Sequence, residues 1–111
     1  MRGEALKGHM ELILLASLQS GPAYGYALIQ QLRERTSGDL DLTEGTVYPA
    51  LHRLEEAGFL ESRVVTVLSR RRRIYAITPS GEAELGRLRR EWSQFVSGIQ
   101  NLLSANEGEQ Q

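Results

Sequence analysis

The densest chemistry in this 111-residue chain is a run of four arginines, Arg70, Arg71, Arg72 and Arg73. A guanidinium is a planar fork of donors that suits phosphate oxygens and narrow minor grooves. The plain alternative is a solubilising charge run. Four like charges with no acid between them repel one another, which favours an anionic partner. A second group of polar residues lies upstream, Thr46, Tyr48, Pro49, His52 and Arg53. On a helix whose Val47, Leu51 and Leu54 face inward, Gly45, Tyr48, Pro49, His52 and Glu56 face outward, with Arg53 at the boundary. Hydroxyls, a ring nitrogen and an apolar edge on one face suit base edges and phosphates in a major groove. A solvated helix face has the same composition, so this helix alone leaves both readings open.

The third group is an apolar row. Leu85, Leu88, Trp92, Phe95, Ile99 and Leu102 follow one another at spacings of three and four, an a/d heptad pattern. Three short helices already need one another for a small core and leave little to cover a helix this long. A partner helix from a second copy is the economical answer. Trp92 serves either as packing in that seam or as one wall of a cavity for a flat ligand.

Enzyme signatures are missing from the sequence. The chain has no cysteine, which excludes disulfides, thiolate catalysis and cysteine-based metal sites. His9 and His52 have no i, i+4 histidine, so no metal or cofactor is expected. Neither a glycine-rich phosphate loop nor a nucleophile elbow occurs. The formal net charge is -1, with 41% hydrophobic and 24% charged residues. Between Thr43 and Tyr75, six arginines against four glutamates leave a local +2. Local field outweighs total charge when phosphate is the partner. The apolar run at Leu12 to Leu15 is too short to span a membrane, no secretion signal is visible, and the absence of cysteine fits a reducing cytoplasm.

Four helices and a hairpin must position these groups. The first helix is expected over Leu6 to Leu18, with Met10, Ile13 and Leu14 on one face. Gly21-Pro22 interrupts it, and proline suits the first turn of a second helix over Ala23 to Thr36. In the third, Thr43 is the expected cap, Leu42 and Val47 have staple spacing, and Gly58 is the stop. Strands follow at Leu60 to Val67 and Ile74 to Ile77, with Leu68 to Arg73 as an arginine-bearing tip. Thr78-Pro79 opens a fourth helix running to about Leu103. The expected fold is mostly α with a two-stranded β-hairpin.

Three segments together, "GPAYGYALIQQL", "LTEGTVYPALHRLEEAGFLES" and "RRIYAITPSGEAEL", closely resemble the PadR family of transcriptional regulators, in its compact subclass with a single C-terminal helix. The similarity spans roughly residues 6–92. It implies a winged helix-turn-helix DNA-binding domain over 1–78, a dimerisation helix over 79–103 and a flexible tail over 104–111. It further implies a homodimeric repressor on a pseudo-palindromic operator in double-stranded DNA. Thr46, Tyr48, Pro49, His52 and Arg53 would read DNA, Arg70 to Arg73 would form the wing, and Lys7 and Tyr24 would touch phosphates. A planar aromatic effector would sit at the dimer interface against Trp92, near Gly8, Glu11, Leu12 and Val96. Two other classes share the fold without DNA binding: a protein-interaction module and a small-molecule binding protein using the interface pocket.

Overall fold

The computed structural model describes the backbone of residues 7–109 and the side chains of residues 8–106. A 3-10 turn at Lys7–His9 leads into α1 (Met10–Leu18). The expected start at Leu6 lies outside the described residues. A short strand β1 (Ala23–Tyr24) precedes α2 (Gly25–Arg35), followed by α3 (Glu44–Glu56), strands β2 (Leu60–Val67) and β3 (Arg70–Ile77), and α4 (Pro79–Glu109).

The core is built from leucines of every helix. Leu14 and Leu15 of α1, Leu28 of α2, Val47, Leu51 and Leu54 of α3 and Leu85 of α4 are fully buried together. Leu60 and Tyr75 close it from the sheet side. The only buried polar side chain among the described residues, Ser17, turns its hydroxyl back onto the Ile13 carbonyl at 2.7 Å, so its burial leaves no donor unpaired.

Three expectations change here. The second helix does not begin at Ala23. Ala23 and Tyr24 pair antiparallel with Tyr75 and Ile74, making a three-stranded sheet of order β1-β3-β2 instead of a lone hairpin. A long-range partner for the backbone wins over local helical periodicity. The hairpin tip is also not arginine-rich. β3 starts at Arg70 and pairs residue for residue with β2 up to Val67↔Arg70, leaving only Leu68 and Ser69 as the turn. The arginines belong to a strand because the facing Val64, Val65 and Val67 are strong strand formers whose ladder draws them in. Finally, α4 continues past Leu103 to Glu109. Ala105, Glu107 and Glu109 are good helix formers and no proline stops the chain.

The junction between α3, the sheet and α4 is tightly tied. α3 ends in a Schellman motif, with the Phe59 amide on the Leu54 carbonyl at 2.9 Å and the Gly58 amide on the Glu55 carbonyl at 3.0 Å. Thr78 caps α4 as expected, its hydroxyl accepting from the Gly81 amide at 3.0 Å. The same hydroxyl donates to the Gly58 carbonyl at 2.7 Å. A Cβ at position 81 would collide with the Phe59 carbonyl, which explains the glycine one turn into the helix.

Candidate nucleic-acid interface

α3 presents its polar side as the sequence implies. Leu42 and Val47 are both buried, as a staple requires. Gly45, Pro49, His52, Arg53 and Glu56 are exposed, while Thr46 and Tyr48 are half-buried. Thr43 departs from its expected role. It stands at the N-cap position with extended dihedrals, yet its side chain makes no capping bond. Its hydroxyl lies 3.2 Å from that of Thr46 instead, and its carbonyl accepts the Thr46 and Val47 amides. The helix runs unbroken through Pro49, whose ring sits on the exposed side.

Tyr48 is held against α2. A Cβ on Gly25 would stand 2.7 Å from the Tyr48 ring, so only a glycine at the start of α2 lets the ring lie there. The residues flanking Gly25 face the wing. The Tyr24 and Tyr26 rings stack with centroids 5.7 Å apart, and the Arg72 guanidinium sits 4.5 Å over the Tyr26 ring, a cation–π contact. A continuous chain of contacts thus joins Tyr48 on α3, the entry to α2, and the arginine strand.

On the other face of the hairpin, Arg73 donates to the Ser62 hydroxyl at 3.0 Å. Ser62 in turn donates to the Glu55 carboxylate of α3, 2.7 Å from the nearer oxygen. Beneath them burial, and secondarily Glu55, pushes the Tyr75 phenol above its ordinary value of 10.0. Arg72 and Arg73 therefore brace the wing root, whereas Arg70 and Arg71 are exposed further out. Tyr26 escaped the sequence reading. Its signal was the Tyr-Gly-Tyr triplet, where alternation at a strand end puts both rings on one side. The Lys7 side chain lies outside the described residues.

The apolar row on α4 divides in two. Leu85 is 1% exposed in the core and Leu88 packs against that core. Leu85 is thus corrected from seam to protomer interior, because α1 already covers the first turns of α4. Trp92, Phe95, Ile99 and Leu102 remain exposed, joined by Leu103. Where α1 meets α4 there is a pocket of about 460 Å³. Gly8, Glu11, Leu12 and Trp92 line it as expected, and Val96 does not. Two further residues do. His9 meets the Trp92 ring edge-on at 5.3 Å, and Arg53 reaches it from α3. Neither is marked by periodicity, since His9 precedes its helix and Arg53 sits between the two faces of its own. Among the described residues no cluster of metal-ligating side chains occurs, and no helix is long and apolar enough to cross a membrane.

A three-helix body, a small sheet with a projecting hairpin and a trailing helix define a winged-helix protein. Residues 14–87 match the transcriptional regulator PadR-like family, and the chain belongs to that family. It is 34% identical over 106 residues to the transcriptional regulator Rv3488 of Mycobacterium tuberculosis, across 93% of this chain and 96% of that protein. A transcriptional regulator from Clostridium thermocellum superposes with a TM-score of 0.82 at 30% identity, over 88% of this chain and 96% of the other. The fold is shared with Bacillus subtilis PadR, solved in complex with operator DNA. That match has a TM-score of 0.66 at 23% identity and covers 72% of this chain and 46% of that one.

Proposed function

We propose that the protein is a homodimeric cytoplasmic repressor, without enzymatic activity or cofactor, that binds a pseudo-palindromic operator. The observation carrying this reading is the contact chain from Tyr48 through Gly25 and Tyr26 to Arg72. It makes α3 and the arginine strand parts of one surface instead of two unrelated ones. Two copies paired along α4 would set two recognition helices about 34 Å apart, one turn of duplex. Thr46, Tyr48, Pro49, His52 and Arg53 would face base edges and nearby phosphates, Tyr24 a phosphate, and Arg70 to Arg73 the backbone beside the minor groove. A planar aromatic effector held against Trp92, near Gly8, Glu11 and Leu12, would act by favouring one spacing of the two halves over another.

Anisotropy titrations of labelled duplex across a range of salt concentrations test the core of this reading. The double variant Arg71→Ala/Arg72→Ala should weaken binding to every sequence. It should flatten the slope of log affinity against log salt by roughly 2, close to one unit per phosphate contact. Unchanged affinity and slope would remove the hairpin from the interface.

A further inference from the structure

At the tip of the hairpin, Leu68 is 94% exposed, well above every other exposed large apolar residue described. The ladder closes at Val67↔Arg70, so Leu68 and Ser69 alone make the turn. Both lie in the left-handed region, with φ of 50° and 65°. Two-residue turns of this kind select Asn-Gly or Asp-Gly, because a side chain with a Cβ is strained there. A leucine at this position satisfies neither turn geometry nor solvation. Such local violations mark sites kept for another reason.

The surroundings indicate that reason. Beyond the last β1 pair, Tyr24↔Ile74, four further residue pairs carry the tip outward, roughly 14 Å at the rise of a strand. Along that length Arg70, Arg71, Arg72 and Arg73 alternate between the two faces of the hairpin. The matching partner has anionic rails on both sides of a narrow slot whose floor accepts an apolar group. The minor groove of a duplex has that form, about 6 Å wide between phosphate backbones. Leucine is among the residues that proteins insert between base steps there.

We propose that Leu68 is an apolar wedge that enters the minor groove and partly unstacks one base step when the arginine strand docks. The inference rests on the DNA-binding reading above and adds to it a kink. It also assigns specificity at a position without hydrogen bonds, since pyrimidine–purine steps unstack most easily.

The test uses the full-length protein and a duplex it selects from a random-sequence pool. The duplex carries a fluorophore at each end, so that energy transfer reports bending. Leu68→Asn suits the turn better and should melt no lower than the wild type, which separates its effect from folding. It should leave the duplex straighter and bind it about tenfold more weakly, a typical effect of losing one good contact. Leu68→Met should retain both bend and affinity. Wild-type bending and affinity in Leu68→Asn would overturn the proposal. Lost binding to vesicles of anionic phospholipid with DNA bending intact would also overturn it, by assigning the tip to a membrane surface. A wild-type protein that selects no duplex at all would remove the DNA-binding reading, and this inference with it.

Discussion

Ile99→Glu tests the pairing of two copies most sharply. α4 is 31 residues long, about 46 Å at the helical rise, and its residues 97–106 are all exposed. A charge at position 99 therefore faces water in a lone protomer and leaves the core untouched. In a dimer paired along α4 it enters the seam twice, because a twofold axis repeats every position. Ile99 is 41% exposed. Covering a whole isoleucine contributes ~1.5–3 kcal/mol, so covering the remaining share contributes about 1 kcal/mol per copy. Two like carboxylates brought into the seam add a desolvation penalty of several kcal/mol more. The dimer should weaken by at least ~4 kcal/mol, about three powers of ten in Kd. Ile99→Ala, which loses only the apolar part, should weaken it by about 2 kcal/mol. Sedimentation equilibrium over a wide concentration range reads both values, with far-UV circular dichroism as the folding control. A dimer of wild-type Kd in Ile99→Glu would refute pairing through this row.

Two expectations concern the protomer itself. Gly81→Ala drives a methyl group into the Phe59 carbonyl and should cost ~2–3 kcal/mol, lowering Tm by roughly 10 °C; a wild-type melting curve would contradict the close approach. The raised pKa of Tyr75 means that the folded state holds the phenolic proton more tightly than the unfolded chain. Stability from this group is thus intact below the ordinary value of 10.0 and falls as pH climbs above it toward the native pKa. Denaturant midpoints at about pH 9 and about pH 11 should diverge in the wild type and converge in Tyr75→Phe.

Most of the architecture is legible in residue order alone. Leu42, Val47, Leu51 and Leu54 mark α3 because staple and helical spacing agree, and Thr78-Pro79 marks the start of α4 because cap and proline agree. The errors share one cause. Ala23-Tyr24 and Arg70 to Arg73 become strand through partners far away in sequence, which no local pattern contains. Leu85 continues the heptad row of Trp92 and Ile99 perfectly, yet it packs inside its own protomer. Periodicity tells which side of a helix is apolar but not whose atoms cover it. Tyr26, His9 and Arg53 were overlooked or given other roles for a related reason, since each gains its surroundings only when separate elements meet.

Thr78 has one hydroxyl on two elements, the exit of α3 and the first turn of α4. That joint has no slack, so the rod and the reading head turn as one rigid lever. In a pair hinged along the rods, a few degrees of scissoring would be transmitted undamped to the distance between the two heads. Operator spacing would then depend on a single crossing angle.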